Sequence, residues 1–115
     1  MQALWVPIQE FEEYYHISDG GDIKSFKKKE PRVLKKENHY RGYQRIMLCK
    51  GGKRYKLFVH RIVASAFIPN PAAHPIVNHK DGDKMNNKLE NLEWVDAKEN
   101  SAHYQKYLKK QNDDF

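Results

Sequence analysis

The sequence predicts an α+β chain: antiparallel β-hairpins first, a short connecting helix, then a closing strand–loop–strand–helix unit. Three observations carry that expectation. Two runs containing β-branched residues fold back across glycine pairs, Gly20-Gly21 and Gly51-Gly52. The stretch HRIVASAFIPNP repeats apolar residues at helical spacing and stops at prolines. The last third alternates short apolar runs with an asparagine-rich turn and ends in a helix-start signature.

The first segment sets Trp5, Ile8 and Phe11 ahead of the run Tyr15–Ser18, turns at Asp19-Gly20-Gly21, and resumes from Asp22 to Phe26. Residues 27–42, KKKEPRVLKKENHYRG, form a basic loop with a short strand around Val33-Leu34. A second hairpin runs from Tyr43 to Cys49 and from Arg54 to Val59 about Lys50-Gly51-Gly52-Lys53. Its alternation sets Ile46 and Leu48 against Tyr55 and Leu57 as core-facing residues. In the helix that follows, Ile62, Val63, Ala66 and Phe67 make the buried face, and Pro69 and Pro71 end it. His60 takes a packing or capping role, and His74, in a proline-bounded loop, carries no assignment.

Ile76–His79 is then a short strand, Asp81-Gly82-Asp83 a turn, and Asn91–Val95 a second strand. Asp96 stands as a helix N-cap, with Glu99 three residues on completing a capping-box pattern. The helix runs to about Tyr107 and sets Asn100, His103, Tyr104 and Tyr107 on one face. His103 packs against Tyr107.

Composition excludes several classes of function. At 115 residues the chain holds one modest core. Two lobes share it as one compact unit, a β-rich lobe over residues 1–59 and a second over residues 60–115. A single cysteine, Cys49, excludes an internal disulfide framework and a cysteine-rich zinc site. No apolar run is long enough to span a bilayer, and the first residues lack a secretory pattern, so the expected location is a reducing cytoplasm. There is no dinucleotide or Walker-type glycine fingerprint.

Charge points to a partner. Between Lys24 and Lys56 thirteen basic residues meet two acidic ones, Glu30 and Glu37, a local excess greater than the +6 of the whole chain. Interleaved with Phe26, Tyr40, Tyr43 and Tyr55, they suit a surface that tracks a polyphosphate backbone. The candidate nucleic-acid contacts are Lys24, Lys27, Lys28, Lys29, Arg32, Lys35, Lys36, Arg41, Arg45, Lys53, Arg54 and Lys56.

The stretch VNHKDGDKMNNKLENLEWVDAKEN, residues 77–100, invites three simpler readings. A calcium loop starting at Asp81 would need an oxygen ligand, a glycine and a glutamate where Met85, Asn86 and Leu92 stand. A zinc finger fails for want of cysteines. Asparagine-rich turns account for Asp81 to Asn87. They do not account for Asn91 at a strand start or Asn100 inside a helix, where asparagine is a mediocre former.

Residues 60–103, with HRIVASAFIPNP and then VNHKDGDKMNNKLENLEWVDAKENSAH, resemble the catalytic motif of HNH homing endonucleases of the phage and intron type. His79, Asn91 and Asn100 occupy the three name-giving places. Residues 5–26, with W-x-P-I-x-x-F-x-x-Y-Y-x-I-S, resemble the DNA-binding module that often precedes this motif. The resemblance implies that a ββα-metal nuclease motif closes the α+β fold and that the chain is a DNA-cleaving enzyme. It makes residues 1–59 the DNA-binding lobe and residues 60–115 the nuclease lobe of a monomer or homodimer. His79 is then the general base, a role that suits imidazole, and Asn91 orients the loop carrying it. Asn78 and Asn100 hold one divalent ion, Mg²⁺ or Mn²⁺, through amide oxygens, over double-stranded DNA. Some members have aspartate at the place of Asn78, so this ligand set contains two neutral amides. A non-catalytic DNA-binding protein, or a phage accessory protein with an inert motif, is the alternative reading.

Overall fold

Both glycine-centred turns form, and the described residues build three antiparallel sheets around a central helix. The computed structural model describes residues 3–99. Strands β1 (Trp5–Pro7), β2 (Tyr15–Ser18), β3 (Ile23–Ser25) and β4 (Arg32–Val33) pair in sequence order. Strands β5 (Glu37–Asn38), β6 (Gln44–Lys50) and β7 (Lys53–Phe58) make a second sheet. The helix α1 (Val59–Phe67) leads to a two-stranded sheet of β8 (Ile76–His79) and β9 (Leu92–Val95), joined through a 3-10 turn at Leu89–Asn91. Residues 97–99 begin the closing helix. The expected run to Tyr107, with Asn100, His103, Tyr104 and Tyr107 on one face, lies outside the described residues.

Period-two alternation decides which side chains enter the core. Tyr15 and Ile17 of β2, Ile23 of β3, and Ile46 and Leu48 of β6 are buried. They join Ile8, Val77, Leu92 and the α1 residues Val59, Ile62, Val63 and Ala64 in one apolar cluster, so every sheet contributes. Two polar ties cross it. The Cys49 amide donates to the Tyr15 hydroxyl at 3.1 Å, joining the first two sheets. The Trp94 indole donates to the Ile68 carbonyl at 3.1 Å, fastening β9 to the end of α1. Among the described residues no helix is long and apolar enough to cross a membrane.

Three local expectations are corrected. Tyr55 pairs with Leu48 as expected, but it is exposed and meets Phe11 edge-on, because the hairpin tip overhangs the core. In α1 the buried alanine is Ala64 rather than Ala66. Ala66 faces away from the core on the exposed side of the helix and lines an open groove with Phe11, Leu57 and Ile62. The last strand begins at Leu92, because Asn91 closes the 3-10 turn, where its side chain can reach back along the loop.

The first hairpin turn also sets the position of a distant loop. The Leu89 amide donates to the Asp19 carbonyl at 2.8 Å. Gly21, at φ +89°, lies so close that an added Cβ would sit 3.0 Å from both the Cβ and the carbonyl oxygen of Asn87. Left-handed backbone and steric exclusion therefore act together here. Gly21→Ala should cost about 1–3 kcal/mol, read as a lower urea midpoint with an unchanged denaturant slope. An unaltered midpoint would show that this contact is slack.

Candidate active site

The site is assembled at the end of β8. Register sets Asn78 opposite Glu93 and His79 opposite Leu92, so Asn78 and Glu93 share one face of the ladder and His79 projects from the other. Both Asn78 and His79 are buried. The Asn78 Nδ2 donates to Glu93 Oε1 at 3.0 Å. That bond uses one of the two amide hydrogens and leaves the oxygen available to a further partner. Amide and carboxylate oxygens are the donor chemistry a hard divalent cation takes, so the described residues fit such an ion. Asn100 lies outside them.

His79 Nε2 lies 2.8 Å from Asn87 Oδ1, and Asn87 Nδ2 donates to Gln44 Oε1 at 3.0 Å. An amide oxygen can only accept, so the network assigns the hydrogen to Nε2 and leaves the Nδ1 lone pair available. Asn87 is itself 3% exposed. Sequence reasoning missed both Asn87 and Gln44. Asn87 sits in a segment that turn chemistry explains well, and Gln44 is forty-three positions away. No local pattern exposes a partnership across that separation.

Asn91 ties the intervening loop. Its Oδ1 accepts from the Asp81 amide at 3.1 Å, and its Nδ2 donates to Asp81 Oδ1 and to the Asn86 carbonyl, each at 2.9 Å. Its own carbonyl accepts from the Lys80 amide at 2.8 Å. Asp81 in turn accepts from the Asp83 amide and the Asn86 side chain. The Asn86 bond, with those from the Asp83 backbone and Asn91, holds the Asp81 carboxyl below its usual range.

Aromatic rings wall the histidine. His60 and His79 centroids lie 5.0 Å apart, and Tyr43 stacks on His60 at 5.0 Å with 23° between planes. The His60 role is packing rather than capping, since the cap position of α1 is Phe58 and has no side-chain cap bond. His60 Nδ1 is buried and has no hydrogen-bond partner among the described residues. Burial, then the neighbouring His79 and Arg61, pushes its pKa down to about 3.

Asp96 caps the closing helix as the sequence predicts, accepting from the Glu99 amide at 2.7 Å. The Glu99 carboxylate lies 4.0 Å from His74 Nε2, which gives His74 a partner. His74, Asp96 and Glu99 bring their potential ligand atoms within 4.8 Å of one another, with Asp96 already engaged as the cap.

The basic run is divided by what each charge touches. Glu37 pairs with Arg45 and with Lys56, the latter at 3.7 Å. Lys36 bridges Asp22 Oδ1 and the Gly21 carbonyl, each at 3.0 Å, and so braces the first turn. Lys24 lies 4.2 Å over the Trp5 ring, Lys27 lies 5.4 Å from Tyr14 and Tyr15, and Arg41 bonds the Tyr40 hydroxyl. Lys28, Lys29, Arg32, Lys35, Lys53 and Arg54 are exposed.

A model of the NUMOD4 motif matches residues 4–49, and a model described as HNH endonuclease matches residues 57–102. The chain is homologous to HNH endonucleases, with the HNH match over residues 57–102. It is 41% identical over 96 residues to DNA endonuclease I-HmuI of Bacillus phage SP01, covering 84% of this chain and 54% of that protein. It is 40% identical over 103 residues to the uncharacterized HNH endonuclease L245 of Acanthamoeba polyphaga mimivirus, covering 90% of this chain and 30% of the relative. A solved structure titled "DNA binding and cleavage by the HNH homing endonuclease I-HmuI" aligns with a TM-score of 0.81 and 38% identity over 90% of this chain and 58% of that one. This chain thus spans about a third to a half of the curated relatives named, and its α+β fold matches that of the I-HmuI structure.

The buried His60 generates a prediction. Its folded pKa lies below the ordinary 6.5, so below that pH the unfolded chain binds a proton that the native state refuses. Stability should fall as pH drops from about 6.5 toward 3, by up to about 1.4 kcal/mol per unit. Urea unfolding at pH 7.5, 6.5 and 5.5 should show the loss, and His60→Phe should remove most of it. Parallel curves for the two proteins would refute the assignment.

Proposed function

We propose that this chain is a metal-dependent HNH endonuclease that hydrolyses DNA phosphodiester bonds. The observation that carries the reading is the clamp on His79: Asn87 takes one ring nitrogen at 2.8 Å, and the other keeps its lone pair. That is the arrangement of a general base. Its presence in a chain homologous to HNH endonucleases, similar to a DNA endonuclease over most of its length, supports the assignment.

His79 Nδ1 takes the proton from the water that attacks phosphorus. Asn87 fixes the ring through Nε2, and Asn91 keeps the loop between them in one shape. Asn78 and Asn100 hold the ion, Mg²⁺ or Mn²⁺, through their amide oxygens. When bound, the cation supplies positive charge against the phosphate oxygens and the leaving 3′ oxygen. Consecutive residues leave a strand on opposite sides, so Asn78 and His79 flank a phosphate at the end of β8. Residues 1–59 grip double-stranded DNA through Lys24, the Lys27–Lys29 run and the exposed charges of the second hairpin, and residues 60–115 cut it. One such site in a monomer nicks; a homodimer would cut both strands.

Incubation with supercoiled plasmid tests the reading. Nicked or linear product should form with Mg²⁺ or Mn²⁺ and vanish with chelator; intact plasmid under every condition would favour an inert DNA-binding role. His79→Ala should slow cleavage by about 10²–10⁴-fold while leaving the fold and DNA affinity nearly unchanged. Asn91→Ala should lose stability as well as activity, which separates a structural tie from a proton acceptor. Normal cutting by His79→Ala would remove it as the base.

DNA affinity should also fall steeply with salt. Neutralising ~5 phosphates gives a log–log slope of about −4.5 on duplex DNA. Replacing Lys27, Lys28 and Lys29 with alanine should flatten that slope, measured by fluorescence anisotropy across a salt series. An unchanged slope would place the phosphate contacts elsewhere.

A further inference from the structure

We infer that Glu93 supplies the negative charge of the divalent-cation site, acting across the β8–β9 ladder on Asn78; the inference rests on the metal-dependent reading above. Two neutral amides make a poor ligand set for Mg²⁺ or Mn²⁺, which bind with carboxylate help. The fold answers this from the neighbouring strand. Glu93 stands directly opposite Asn78 in register, on the same face. Its Oε1 accepts from Asn78 Nδ2 at 3.0 Å.

That single bond does two things. It fixes the amide about its side-chain torsion, so that Oδ1 turns away from Glu93 as the ligand atom. It also sets a formal negative charge against the amide, polarising it and raising the electron density on that oxygen. Glu93 is a positioning residue here: it acts on the ion through Asn78, as carboxylates behind histidine ligands do in other metal centres. Asn78 is 7% exposed, and in such surroundings a nearby charge is screened less than at an open surface.

Mn²⁺ binding to the DNA-free protein, followed by loss of the free-ion electron paramagnetic resonance signal, tests this apart from catalysis. Glu93→Gln keeps shape and an acceptor for Asn78 but removes the charge; it should weaken Mn²⁺ binding on the order of 10-fold. Glu93→Ala, which removes both, should cost on the order of 100-fold. Pairing Asn78→Asp with Glu93→Gln returns a carboxylate to the ladder with the bond reversed, and should restore affinity. Glu99→Gln, in the His74–Asp96–Glu99 group, should change nothing, and thermal melts of each variant should confirm folding. Wild-type binding with equal affinity in Glu93→Gln would overturn the role of Glu93 and leave the metal-dependent reading standing. Affinity lost in Glu99→Gln alone would move the ion to that second group and overturn it equally. No binding by the wild type, together with intact plasmid, would overturn the metal-dependent reading and this inference with it.

Discussion

The side chain of Asn91 is the constraint on which the site depends. One buried carboxamide satisfies the Asp81 amide, the Asp81 carboxylate and the Asn86 carbonyl together, while its backbone receives Lys80. Each bond contributes about 1 kcal/mol net, but an unpaired buried group would cost about 1–3 kcal/mol. The loop between β8 and β9 therefore has one arrangement that leaves its polar groups satisfied. His79 at its start and Asn87 near its end meet because the loop between them cannot slacken.

Charge is arranged with similar economy. The basic run is not uniform: Glu37 holds Arg45 and Lys56, and Lys36 is spent on the first turn. Exposed charge stands at Lys27–Lys29, Arg32, Lys35, Arg41 and along the second hairpin at Lys50, Lys53, Arg54 and Lys56. Aromatic faces beneath Lys24 and Lys27 fix two of the partly committed cations without neutralising them. Exposed positive charge thus sits mostly on strand ends, turns and loops.

What could be read in the sequence was what local chemistry decides. Both glycine turns, α1 with its proline stop, β8 and the Asp96 cap follow from residues within a few positions of one another. The family resemblance makes Asn91 the residue that orients the loop, whereas the partners it bonds, Asp81 and Asn86, follow from the fold. Tyr55 went astray because alternation gives a direction but not the extent of the core along it. Asn87 was hidden for another reason. Its value comes from Gln44 and His79 meeting in space, and an asparagine in a turn already has a sufficient local explanation. Glu93 was likewise invisible until strand register set it against Asn78.

The docking of the first hairpin turn onto the Asn87 loop bears on how such a unit could be moved between proteins. Gln44 lies in the NUMOD4 match, while the amide it holds belongs to the HNH match. A graft that took only residues from 57 onward would strip Asn87 of its outer anchor and bare the faces of Val59 and Val63 that Ile17, Ile23 and Leu48 cover in one cluster. The transferable cassette is therefore the pair of motifs, with the turn at Gly21 and its opposing loop kept as a matched lock and key. Recombination within lineages of such proteins would be tolerated at the outer ends of this block and penalised at the seam inside it.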